Sequence, residues 1–136
     1  MLVHQLWNAS PLINWLGFME VLIIHRQESF LEKVREKFTL GGWHATTTQS
    51  GLDGLMIARH QRFDMIFCGF DLPVVSGMEL IRSWRMLSMN RNTPIYLLTD
   101  ETPKIWQNEL ASKLMARTIT TTEIETVDKM YSLQEN

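Results

Sequence analysis

Residues 64–80 read DMIFCGFDLPVVSGMEL, and this stretch decides the fold. Met65 to Cys68 are apolar at every position rather than at alternate ones, the pattern of a strand covered on both faces. Gly69 ends the run, and a loop holding Pro73 follows. Ser76-Gly77-Met78-Glu79 then has the capping-box form, in which hydroxyl and carboxylate satisfy the first free amides of a helix. Strand, loop and the capped start of a helix in seventeen residues read as one βα unit of a parallel sheet.

The same unit recurs on either side. Runs at 21–24 and 95–98 are equally continuous, and weaker Thr-rich runs at 43–48 and 118–120 suit positions nearer a sheet edge. Ser29-Phe30-Leu31-Glu32 and Thr122-Glu123-Ile124-Glu125 repeat the capping box. Ser50 with Asp53 is a shorter variant, and Thr102-Pro103 puts a hydroxyl at a cap with proline at the first helical position. Phe30, Leu31, Val34 and Phe38 fall at helical spacing, and Gly41-Gly42 closes that helix. Five such units predict one doubly wound α/β domain over residues 19–136.

Composition bounds the function. The 136 residues carry 13 Lys and Arg against 15 Asp and Glu, a net charge of −2, with no basic excess to bind nucleic acid. Cys68 is the single cysteine, which excludes an intrachain disulfide or thiolate zinc site and suits a cytoplasmic setting. His4, His25, His44 and His60 have no metal-ligand spacing, so no metal is expected. Residues 1–18 are apolar but lack Lys and Arg and are interrupted by Asn8, Ser10, Pro11 and Asn14, so neither a secretory signal nor a membrane span is expected. With Met19 standing before the first strand, 1–18 read as an N-terminal extension, either a native docking segment or an added remnant.

Ligands of an open α/β sheet bind beyond the carboxyl ends of its strands. His25, Arg26, Gly69, Thr99 and Thr121 are the residues to read there, and no glycine-rich phosphate loop occurs among them. At this point residues 20–134 resemble, along their whole length, a receiver domain of bacterial two-component signalling. The segments VLII, DMIFCGFDLPVVSGMEL and PIYLLT carry the resemblance, with Pro73 and Gly77 at the family's spacing. It implies a flavodoxin-like, five-stranded sheet of order 2-1-3-4-5 with five helices. It also implies that the phosphoacceptor position is held by Gly69, the Mg²⁺-binding acidic pair by His25-Arg26, the lysine by Thr121 and the aromatic switch by Thr118. Thr99 alone matches.

Aspartyl phosphorylation needs a carboxylate nucleophile and a divalent cation. Gly69 supplies no side chain, and an imidazole with a guanidinium is a poor Mg²⁺ site. Asp71 is an alternative acceptor, placed two residues late. Arg26 either fills the cation site, paired to Asp71 or Asp100, or points to solvent. His25 is read as a hydrogen-bonded structural group ahead of a pH-sensitive one. Cys68 precedes Gly69, so alternation turns it into the core and away from nucleophilic work. Trp84 is read as core; Trp106, beside Lys104, is left open between core and interface.

The expectation is a phosphorylation-independent protein-interaction module, without enzymatic activity or cofactor. It would bind another signalling protein or an output domain through the fourth helix, fifth strand and fifth helix, a surface that includes Trp106 and Thr118. A homodimer is an open option; nucleic acid and membrane are not expected. The alternatives are a receiver phosphorylated at Asp71 and a flavodoxin-like enzyme domain.

Overall fold

The apolar runs become a parallel sheet in the computed structural model, which describes residues 19–125. Along the chain come β1 (Met19–Ile24), α1 (Glu28–Leu40), β2 (Trp43–Thr48), α2 (Gly51–His60) and β3 (Met65–Gly69). After these come α3 (Gly77–Leu87), β4 (Ile95–Thr99), α4 (Ile105–Lys113), β5 (Arg117–Thr120) and α5 (Thr121–Ile124). The sheet order is β2-β1-β3-β4-β5 with every pair parallel, the flavodoxin-like topology expected. The expectations for residues 1–18 and for the chain after 125 lie outside the described residues.

Strand alternation divides the core. Val21, Ile23, Met65, Phe67, Tyr96 and Leu98 face α1 and α5, where Phe38 and Trp43 meet edge-on at 5.3 Å. Leu22, Ile24, Ile66, Cys68, Ile95 and Leu97 face α2, α3 and α4, with Trp84 fully buried among them. Both faces of β1, β3 and β4 are covered, which is why those strands read as unbroken apolar runs. No described helix is long and apolar enough to cross a membrane.

Gly77 explains the spacing from Pro73. A Cβ there would strike the Gly69 carbonyl oxygen, so α3 starts in direct backbone contact with the end of β3. Between them Val74, at φ 71°, is the centre of a γ-turn closed by the Val75 N–H donating to the Pro73 carbonyl at 2.8 Å.

Two capping expectations hold: Ser76 with Glu79, and Ser50 accepting the Asp53 N–H at 3.1 Å. Three are corrected. Gln27, not Ser29, precedes α1, because the His25 ring accepts the Gln27 N–H at 3.1 Å and turns the chain earlier. Residues 102 and 103 remain in the loop; the Thr99 hydroxyl donates to the Glu101 carbonyl at 2.8 Å, and α4 starts after Lys104, whose N–H donates to Gln107 Oε1 at 2.8 Å. At α5 the capping box is Thr120 with Glu123, two residues ahead of the expected pair, since β5 ends at Thr120.

Candidate functional site

The carboxyl ends of β1, β3 and β4 open into a cleft of about 230 Å³. Five of the residues singled out in the sequence, His25, Arg26, Gly69, Asp71 and Thr99, line it together. Thr121 does not; it is the first residue of α5, one position past the strand end that pairs with Thr99.

Gly69 closes β3 at the centre of the cleft. Its φ is not positive, so nothing in the backbone requires glycine. A Cβ added there would lie 3.2 Å from Leu72 Cδ2 and 3.4 Å from the Ile24 carbonyl oxygen, a tight but accommodating fit.

Charge dominates the walls. Arg26 is not directed simply into solvent: its guanidinium lies 3.6 Å from an Asp71 carboxylate oxygen and 3.8 Å from one of Asp100. Both separations exceed a hydrogen bond, and all three side chains are about half exposed or more, so these are screened charge contacts. Among the described residues, no three His, Cys, Asp or Glu side chains are grouped to hold a metal ion.

His25 is 5% exposed and lies against Phe30, ring centroids 4.3 Å apart. Its Nδ1 accepts the Gln27 N–H, which leaves the proton of the neutral ring on Nε2, 3.7 Å from Asp100. Burial lowers its pKa below the ordinary histidine value, opposed by the nearby Asp100 carboxylate and assisted by Arg26. The structural reading of this histidine therefore has a partner and a cause.

Cys68 points into the core and is fully buried; burial pushes its thiol pKa up, far from a reactive thiolate. Thr118 is tied to α4 through a hydrogen bond to the Asn108 side chain. Trp106 sits at the cleft margin, its ring meeting that of Phe70 edge-on at 5.7 Å, and is about half exposed.

Lys104 also lines the cleft, a role the sequence reading missed by assigning it only as a neighbour of Trp106. The signal lay in the helix boundary: a later start of α4 leaves Lys104 on the loop at the carboxyl end of the sheet.

Residues 21–120 match the response regulator receiver domain family. Over 79 residues the chain is 29% identical to the polar-differentiation response regulator DivK of Brucella anthropi, a match covering 58% of this chain and 64% of that protein. It is 32% identical to the probable transcriptional regulatory protein TcrX of Mycobacterium tuberculosis over 58% of this chain and 33% of that protein. The matches thus span less than two thirds of either relative. Among solved structures, the chemotaxis response regulator CheY4 of Vibrio cholerae superposes with a TM-score of 0.73 at 24% identity, covering 88% of this chain and 98% of that one. The receiver domain of the Pseudomonas aeruginosa sensor histidine kinase PA1611, described with magnesium in its active-site cleft, gives 0.75 at 19% identity, covering 88% and 96%. At these identities both show the fold.

Proposed function

This chain belongs to the response regulator receiver domain family of two-component signalling, and on that premise we propose that it acts as a phosphorylation-independent interaction module. One observation carries the reading: the cleft at the end of β3 holds Gly69 at its centre and the Arg26 guanidinium between Asp71 and Asp100. A phosphoryl group needs an oxygen nucleophile to receive it and a cation with open coordination to neutralise it. Glycine supplies no nucleophile. The donor set does not fit hydrated Mg²⁺, since the carboxylates of the cleft face a guanidinium and His25 supplies a buried nitrogen.

A permanent cation in place of a metal leaves the domain in one charge state. Interaction then rests on the surface that state presents. On α4, Ile105 and Trp106 are exposed while Ala111 packs inward, and Trp106 joins this face to the cleft through Phe70. Exposed apolar and aromatic residues on one helix suit a protein partner, another signalling protein or an output domain, reached through α4, β5 and α5. The reading includes no catalysis by this domain and a cytoplasmic setting.

Asp71 is the alternative acceptor because it shares the cleft. The test is intact-mass spectrometry after incubation with acetyl phosphate and Mg²⁺. The expected result is no phosphoryl adduct. An adduct that disappears in Asp71→Asn overturns phosphorylation independence.

A further inference from the structure

The opposite end of the sheet, where β3 and β4 begin, carries a second and larger cleft of about 700 Å³. Arg59 from the last turn of α2, Arg62 from the loop that follows it and Arg91 from the loop after α3 stand around it. Among the described residues none of these three guanidiniums takes part in an ion pair. The one acid of the lining, Asp64, is turned to the backbone, where it accepts the Glu20 N–H at 2.7 Å. Three cations against one committed carboxylate make a local positive site on a chain whose net charge is −2.

The site is built rather than loose. Asn90 is fully buried beneath it; its side chain accepts the Phe63 N–H at 2.8 Å and the Thr93 hydroxyl at 2.9 Å, and donates to the Gln61 carbonyl at 2.8 Å. The Arg85 guanidinium holds the Asn90, Arg91 and Thr93 carbonyls at 2.8 to 3.2 Å. The loop carrying Met89 and Arg91 is thereby fixed before any ligand arrives, which lowers the ordering cost of binding. Met86 and Met89 line the same cleft at 63% and 54% exposure, adaptable apolar contacts between the charges.

We propose that this cleft is a docking site for an acidic peptide segment of a partner protein, with carboxylates on Arg59, Arg62 and Arg91 and an apolar side chain on Met86 and Met89. Guanidinium forks pair with carboxylates bidentately. Single-stranded nucleic acid is the poorer fit because it needs exposed aromatic faces for stacking, and Phe63, the aromatic of this lining, is 2% exposed. The inference is independent of the α4 surface and of the phosphate cleft.

The test titrates the full chain, labelled with ¹³C at the methionine methyls, with a short synthetic peptide of glutamates bearing two leucines one helical turn apart. The Met86 and Met89 signals are expected to shift saturably while those of Met65 and Met115 stay in place. Arg62→Glu with Arg91→Glu should weaken binding by at least about tenfold, and Trp106→Ala should leave it unchanged. Both arginine side chains are exposed, so an unchanged melting temperature verifies that the variant is folded. The proposal is overturned by absence of the Met86 and Met89 shifts, or by shifts that survive charge reversal. A single-stranded oligonucleotide or a phosphatidylglycerol vesicle that moves the same methyls at lower concentration than the peptide also overturns it.

Discussion

The two ends of the sheet each use an arginine, in opposite ways. At the carboxyl end Arg26 faces two exposed carboxylates at 3.6 and 3.8 Å and donates no hydrogen bond to them. At the amino end Arg85 donates to five backbone carbonyls, those of Asn90, Arg91, Thr93, Leu114 and Met115, at 2.8 to 3.2 Å. One arginine supplies charge to an open cleft and can be removed with little loss of structure. The other braces two loops, and its removal would leave carbonyls without partners. The amino end is braced by buried hydrogen bonds, whereas at the carboxyl end opposite charges face one another across an open cleft without bonding.

The largest expected effect tests the braced end. Asn90→Ala removes the acceptor of the Phe63 N–H and the donor to the Ala58 and Gln61 carbonyls, all on a fully buried residue. The variant should lose about 3 kcal/mol in urea unfolding, the sum expected when several buried partners are stranded at once. A loss below about 1 kcal/mol would mean that the loop rearranges and that the two ends are equally soft.

A smaller change, of opposite sign, is expected at the other end. Val74 is β-branched, 88% exposed and held at φ 71°, a conformation that costs such a residue strain with no packing in return. Val74→Gly should raise stability by about 1 kcal/mol, less what glycine loses in backbone freedom. A destabilised variant would show that the γ-turn tolerates valine without strain.

The sequence disclosed the braced core and concealed the brace. Unbroken apolar runs in β1, β3 and β4 fixed the class of sheet, because burial on two faces leaves no other pattern. The Ser76 and Ser50 caps were legible since their partners lie three residues away. Ser29, Thr102 and Thr122 mislead because each offers capping chemistry, while a neighbouring contact that capping patterns do not register, or the end of the strand, decides where the helix begins. The His25 ring does so for α1, and the Thr99 hydroxyl holds the loop before α4. The Arg85–Asn90 brace joins residues up to 32 apart and has no local signature at all. The strand ends point to His25, Arg26, Gly69 and Thr99, which line one cleft. They could not place Lys104, whose position follows from a helix boundary, nor keep Thr121 in the lining.

The pH dependence is expected to be smaller still and to belong to the carboxyl end. His25 has a folded-state pKa below its ordinary value of 6.5, chiefly because it is buried. Below that value the unfolded chain takes up a proton that the native ring resists, so the unfolded state gains. The stabilising contribution is therefore complete above about pH 6.5 and is lost as pH falls toward the folded pKa. His25→Asn, whose side-chain oxygen can still accept the Gln27 N–H, should flatten the fall in melting temperature across this window. An unchanged slope would assign the acid sensitivity to another group.

The smallest expected response is the sharpest test of the contrast, and it concerns Gly69→Asp. The new Cβ fits with a slight shift of Leu72, so the variant should fold. Its carboxylate would enter a cleft where Arg26 already pairs with Asp71 and Asp100, and the guanidinium would lower its pKa and hold it ionised. An ion pair cannot coordinate an incoming phosphoryl group as a metal does. The groups that could relay its arrival are otherwise engaged: the Thr99 hydroxyl donates to Glu101, and the Thr118 hydroxyl is bonded to Asn108. Lys104 could approach it from the start of α4, but one exposed ammonium on a loop gives little difference between two states of the domain, and a ligand shifts an equilibrium only by that difference. Beryllofluoride with Mg²⁺ added to Gly69→Asp should therefore move amide signals near residues 69 and 26 and leave α4 through α5 unchanged. Shifts spread across α4, β5 and α5 would show that the cleft is coupled to that surface after all, and the soft end of the sheet would then be a switch that lacks only its acceptor.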